Sequence, residues 1–163
     1  GTLNASEIAI AAYNGDADAA ANAAGNSVFA ALGARAANSR GPVVDPAYRS
    51  KIQGTAQKTG TPGHQFRVYR EALEAAKNPE VEGVFLNKGY NRALGLDPKS
   101  VKPNVRPDVT VVYRDGRVGR VEVLSKTDRA RNLEQRNSVL DPQLQTRGYV
   151  PLRPRIISPS TQQ

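Results

Sequence analysis

The sequence predicts an α+β fold with a mixed sheet, in the order helix, strand, strand, strand, helix, strand. Three observations carry that prediction. From His64 to Lys77, Val68, Ala72, Ala75 and Ala76 fall on one arc with Tyr69 and Leu73 beside it, the signature of an amphipathic helix. Val109 to Tyr113 and Val118 to Leu124 are β-branched runs flanking Asp115-Gly116, a hairpin signal. From Asp128 to Leu140, Ala130, Leu133 and Leu140 return to helical spacing.

The elements follow in chain order. Ala-rich stretches at Ala5–Tyr13 and Ala17–Ala37 have high helix propensity, broken at Asn14-Gly15-Asp16 and Gly25-Asn26. Ser27–Arg35 carries Val28, Phe29 and Leu32 on one side of a short helix. Alanines bury little each, so this part reads as a helical arm. Asn38 to Pro62, rich in Ser, Gly, Pro, Thr and Gln, reads as a linker with one short helical turn. Asn78-Pro79 ends the helix that starts at His64. Val81–Asn87 is a short apolar strand, Tyr90–Leu96 a loop or helical turn, and Asp97–Pro107 a connecting loop. Thr127 or Asp128 is available to cap the second helix, which Asp141-Pro142 stops. Pro151 and Pro154 make Tyr149–Ile157 an edge or irregular strand. The expected division is an Ala-rich arm and linker over 1–62, a folded domain over 63–157 and a disordered tail over 158–163.

Composition narrows the function classes. The 163 residues make about one domain's worth of chain. No apolar run nears the roughly 18–20 residues that span a bilayer, and the Ala-rich start lacks the basic region of a signal peptide. Without Cys there is no disulfide framework, thiolate zinc site or cysteine nucleophile, and the single His64 rules out multi-histidine metal sites. Any metal would be held by carboxylates, which suits Mg²⁺ or Mn²⁺ better than Zn²⁺. There is no Met and the chain opens Gly1-Thr2-Leu3, so a piece of a longer polypeptide is expected. Net charge is +8, but all 23 basic residues and 12 of the 15 acids lie beyond residue 34, so that part carries +11. A basic domain behind a near-neutral arm points to a polyanionic partner, nucleic acid first.

The acids of the hairpin are the most informative residues. A two-residue Asp115-Gly116 turn pairs Arg114 with Arg117 and puts Asp108 and Glu122 on opposite faces. A three-residue loop, Arg114-Asp115-Gly116 with Gly116 left-handed, pairs Tyr113 with Arg117 and sets Asp108 opposite Glu122, about 4.5–5.5 Å apart at Cβ. Both loops are common, and Gly116 suits the second. Facing carboxylates repel unless a cation lies between them. Mg²⁺ held by Asp108 and Glu122 could polarise a phosphate and activate water, with Lys126 orienting that water or stabilising charge. The structural alternative has Asp108 capping the strand start and Glu122 paired with Arg120 or Arg106.

With Pro-Asp opening the second strand and an acid and a lysine ending the third, this order resembles the PD-(D/E)XK nuclease superfamily, the restriction-endonuclease-like fold. Asn104-Val105-Arg106-Pro107-Asp108-Val109-Thr110, Asp115-Gly116 and Glu122-Val123-Leu124-Ser125-Lys126-Thr127-Asp128 look like nuclease domains at the C-termini of bacterial polymorphic toxins, of contact-dependent growth inhibition and Rhs type. Phe85-Leu86-Asn87-Lys88-Gly89 is similar to a strand of those domains, and the resemblance covers about Gly63 to Ile157. One departure is plain: the superfamily places its lysine two residues after the acid, where Leu124 stands here. Lys126 keeps the face if the strand continues, and Ser125 and Thr127 are the alternatives.

The resemblance implies divalent-metal phosphodiester hydrolysis, DNA favoured and tRNA possible, with no small-molecule cofactor. It implies delivery as the tail of a secreted effector into a competitor's cytoplasm, and a cognate immunity protein. Asp108 and Glu122 would be metal ligands, and Glu71, at the edge of the first helix's apolar arc, a further one unless it pairs with Arg67 or Arg70. His64 could be a general acid or phosphate contact, or a cap or packing residue; an essential His64 would favour a metal-independent ribonuclease. Arg129, Arg131 and Arg120 are the expected backbone contacts. A non-catalytic nucleic-acid-binding module is the competing class.

Overall fold

A computed structural model describes residues 45–159; the Ala-rich arm expected over the first 37 residues and the last part of the tail lie outside the described residues. The elements are α1 (Pro46–Arg49), β1 (Ile52–Gly54), α2 (His64–Ala76), β2 (Val81–Leu86), α3 (Tyr90–Ala93), β3 (Val109–Tyr113), β4 (Arg117–Val123), α4 (Ala130–Ser138), α5 (Asp141–Thr146), β5 (Val150–Pro151) and β6 (Arg155–Ile157). The fold is α+β with a six-stranded mixed sheet in the order β1-β2-β3-β4-β5, with β6 also on β4. β1 runs parallel to β2, β2-β3-β4 are antiparallel, and β5 and β6 run parallel to β4.

Alternation along the strands divides the core in two. Val109, Val111, Val121 and Val123 face α2 and meet Val68, Tyr69, Ala72 and Ala76. β2 adds Val81, Val84 and Leu86 to the same cluster although Val81 and Val84 are three apart. A bulge between Val81 and Gly83 shifts the register there, so the odd spacing still lands on one face. A second cluster joins Tyr90 of α3, Val101 and Val105 of the following loop, and Leu140 and Leu144 around α5. Thr110, Arg120 and Glu122 alternate with the α2-facing valines, and all three are buried.

Three elements differ from expectation. The segment read as a linker holds the helical turn α1, capped by Asp45 accepting from the Ala47 N–H at 2.8 Å, but also strand β1. Its Ile52 pairs with Val84, and the buried Ala56 joins the α2 core. Asp141-Pro142 stops α4 and also opens α5, because proline's missing N–H is harmless in a first turn. The last strand is split into β5 and β6 around Leu152–Pro154; the register to β4 shifts by one residue across the break, from Val118 opposite Pro151 to Val121 opposite Arg155.

Candidate functional site

The hairpin takes the longer of its two possible loops. Val112 pairs with Val118 and Val109 with Val121, so Tyr113 lies opposite Arg117 and, one step beyond the ladder, Asp108 lies opposite Glu122. Gly116 has φ +92°, the left-handed position such a loop requires, and its N–H donates to the Tyr113 carbonyl at 3.1 Å. Asp115 accepts from the Arg117 N–H at 3.1 Å, and Arg117 lies over the Tyr113 ring at 4.3 Å.

Both carboxylates are buried and each is held by a different layer. Asp108 Oδ2 accepts the Val123 N–H at 2.8 Å and lies 3.4 Å from His64 Nε2. His64 Nε2 is also 2.9 Å from the Val123 carbonyl. Both neighbours of Nε2 are acceptors, so that nitrogen carries the proton; Nδ1 is buried without a hydrogen-bond partner. His64 is the first residue of α2, entered through Gly63 at φ +78°. Across the pair, Glu122 Oε1 accepts from Asn137 Nδ2 at 3.1 Å and from the Arg136 guanidinium at 3.0 Å, both from α4. The acids thus sit where the sheet meets the N-terminus of α2 on one side and α4 on the other.

Electrostatics follow from this burial. Loss of water, and then the neighbouring Asp108 charge, push Glu122 from 4.5 to about 7, against the lowering pull of Asn137 and Arg136. For His64, burial favours the neutral ring, but the Asp108 hydrogen bond and charge together with the Val123 carbonyl outweigh it and raise its pKa above 6.5.

The other expected residues are spread around this pair. β4 ends at Val123, so Lys126 stands in an exposed turn and does not continue the strand's face; its N–H donates to Thr61 Oγ1 at 3.1 Å. Ser125 Oγ and N–H both bind Asp128 Oδ2, at 2.7 and 2.9 Å, so this serine and acid close the turn on each other. Glu71 lies on the α2 side, ion-paired to Arg67 at 3.0 Å and Arg155 at 3.4 Å, and Arg155 is opposite the α2-facing Val121. Glu122 projects to the other face, so Glu71 does not join it. Arg129 and Arg131 are exposed at the start of α4, as a backbone contact needs to be. Arg120 corrects the expectation: its side chain is 0% exposed, binding Asp141 at 2.7 Å and the Leu152 and Asn137 carbonyls at 2.6 and 3.1 Å. Period-two alternation puts it on the inward face, where a guanidinium survives only with this many acceptors.

Among the described residues no group of three or more His, Cys, Asp or Glu could hold a metal ion. Asp108 and Glu122 are two carboxylates at facing positions of adjacent strands. As oxygen donors they suit a hard divalent cation, which would offset the burial of the Glu122 charge and its repulsion by Asp108, the two causes of its raised pKa. Sequence reasoning left Arg136 and Asn137 out of the site. Asn137 had a visible signal, being a polar residue in the Leu133–Leu140 stripe of a helix and so a buried amide in need of partners. Arg136 had none. No protein-family profile, curated protein or solved structure matches this chain.

Proposed function

We propose that this chain is a nuclease that hydrolyses phosphodiester bonds, DNA favoured, with Asp108 and Glu122 at its centre. The observation that carries the reading is the register that sets these two buried acids opposite each other on adjacent antiparallel strands. A helix on either side of an antiparallel hairpin that bears the acids is compatible with the restriction-endonuclease-like arrangement. Asp108 and Glu122 would hold Mg²⁺ or Mn²⁺, which would polarise the phosphate and lower the pKa of a bound water. Without a metal, burial and the Asp108 charge push the Glu122 pKa up to about 7, and a bound cation would favour its charged, ligating form. His64 and the Val123 N–H hold Asp108 Oδ2 in place. Arg136, its side chain 47% exposed, lies between Glu122 and solvent, where phosphate charge would arrive. Arg129 and Arg131 extend the cationic surface along α4. As an antibacterial toxin domain delivered into competitor cells, the chain would require an immunity protein in its producer.

The test is cleavage of plasmid DNA and tRNA with Mg²⁺ or Mn²⁺, with and without EDTA. Asp108→Asn and Glu122→Gln are each expected to abolish cleavage while the protein stays folded; full activity in both variants refutes the proposal. His64 supports a second reading, a metal-independent ribonuclease, because the ring is set against Asp108 with a buried and unpartnered Nδ1. RNA cleavage that survives EDTA and is lost in His64→Gln would select it.

A further inference from the structure

Where the loop from α3 leads into β3 is a cleft of about 400 Å³ whose lining contains Lys88, Arg92 and Arg106 and no acid. Lys88 follows the end of β2, Arg92 lies in α3, and Arg106 comes from the loop that leads into β3. Nothing in the described residues neutralises them: none of the three side chains has an ion-pair or hydrogen-bond partner. Arg67, Arg117, Arg120, Arg136, Arg153 and Arg155 each have a carboxylate; Arg70, Arg129 and Arg131 have none among the described residues either but do not line this cleft. Asn87 and Asn104 add amide groups to the same lining.

The cleft is built into the fold. Asn91 clamps its far wall, donating to the Pro98 and Val101 carbonyls at 2.8 and 3.1 Å and accepting the Val101 N–H at 2.8 Å. Gly89 lies so close to the Asn104 amide that an added Cβ would collide with it, so the two chain segments meet without a side chain between them. The cleft lining also meets the backbone at Asp108. Asn87 N–H donates to the Asp108 carbonyl at 3.2 Å, and only the buried Pro107 separates Arg106 from Asp108.

We infer that this cleft, lined by Lys88, Arg92 and Arg106, binds the phosphate backbone of a polynucleotide next to the bond placed at Asp108 and Glu122. The inference rests on the nuclease reading for its neighbour, but its own content is binding. Three cations with no internal counter-charge repel one another and are best satisfied by a ligand that carries several anionic groups. Two of them are arginines, whose forks match phosphate oxygens. The volume admits a nucleotide unit, and Arg106 of its lining is two residues from Asp108 in the chain.

The experiment measures binding of a fluorescein-labelled DNA duplex and a labelled RNA hairpin by anisotropy across a salt series, in EDTA, on the full chain carrying Glu122→Gln. Arg92→Gln with Arg106→Gln is compared with the charge-matched Lys77→Gln with Arg114→Gln. The latter pair lies beyond the Val81–Tyr113 end of the strands, away from Asn87 and Asp108. The cleft variant is expected to bind about tenfold more weakly and to lose about two from the log–log salt slope, with Lys88→Gln alone losing about one. The control pair is expected to change the slope much less. Arg92, Arg106, Lys77 and Arg114 are exposed and Lys88 is half-buried, and the unfolding midpoint, compared with that of the Glu122→Gln parent, checks that each variant is folded. The inference is overturned if both pairs weaken binding equally, if the cleft variant keeps the parent slope, if the parent binds neither nucleic acid, or if poly-glutamate proves the tighter arginine-dependent ligand. Because the readout is binding in EDTA and not cleavage, this outcome is separate from the nuclease test: active Asp108→Asn and Glu122→Gln enzymes would refute the one and leave the other standing.

Discussion

Glu122 is 2% exposed and ionises only near pH 7, yet it is held by an arginine and an asparagine that favour its charged form. Desolvation wins, and the result is a stability cost with a definite sign. The folded state keeps the proton up to about pH 7, whereas the unfolded chain releases it near 4.5. Stability contributed by this group is therefore present below the unfolded value and lost as pH rises towards 7, by roughly 3 kcal/mol in total. His64 acts in the same direction, since its raised pKa means protonation favours the fold and that contribution fades at higher pH. Glu122→Gln keeps the acceptor and removes the ionisation cost. Urea unfolding is expected to find this variant more stable than wild type at pH 8 and level with it near pH 4. A wild-type advantage at pH 8 would show that Arg136 compensates the buried charge fully. The identity of the acids was legible in Pro107-Asp108 and Glu122. Their side-chain partners were not, because Asn137 and Arg136 reach Glu122 from α4 and His64 reaches Asp108 from α2, and no local pattern encodes how those helices dock.

Among the elements, the hairpin was the most legible and the sheet edge the least. β-branched runs around a turn specify an antiparallel ladder locally, and Gly116 suits the longer of two possible loops, the one the structure takes. The edge depends on what packs over it. Arg120 joins β4 to Asp141 of α5 and to the Leu152 carbonyl in the β5–β6 break, so one buried side chain links three elements. Arg120→Ala is expected to cost about 3 kcal/mol, because carbonyls and a carboxylate lose their donor in the interior; a change within 0.5 kcal/mol, the usual range for surface substitutions, would mean the residue is not buried. α5 is too short to be stable by itself, and Leu144, fully buried, supplies much of its anchorage. Leu144→Ala is expected to cost about 2–5 kcal/mol by calorimetry, far more than six polar-looking residues suggest.

For the molecule as a whole, the folded unit reaches further towards the N-terminus than composition suggests. β1 covers the free edge of β2, Gln65 donates to the Ala56 carbonyl at 3.1 Å, and the Ala56 N–H donates to Tyr69 Oη at 3.2 Å. A chain cut to begin at Gly63 removes all of these and leaves a strand edge open. It is expected to melt well below a chain that begins at Asp45, and equal midpoints would make residues 45–62 dispensable. Among the described residues no helix is long and apolar enough to cross a membrane. The sequence by itself determined the α+β class and the antiparallel hairpin, since each follows from period and turn chemistry, and it narrowed the facing of Asp108 and Glu122 to a choice between two loop lengths that the register of the structure decided. Only the tertiary structure decided that His64 meets Asp108, that Arg136 and Asn137 meet Glu122, that Arg120 is interior and Glu71 on the far face, and that three unpaired cations line one cleft. Those facts depend on which layer each helix packs against, and burial of apolar area, being non-directional, records no such address in local sequence.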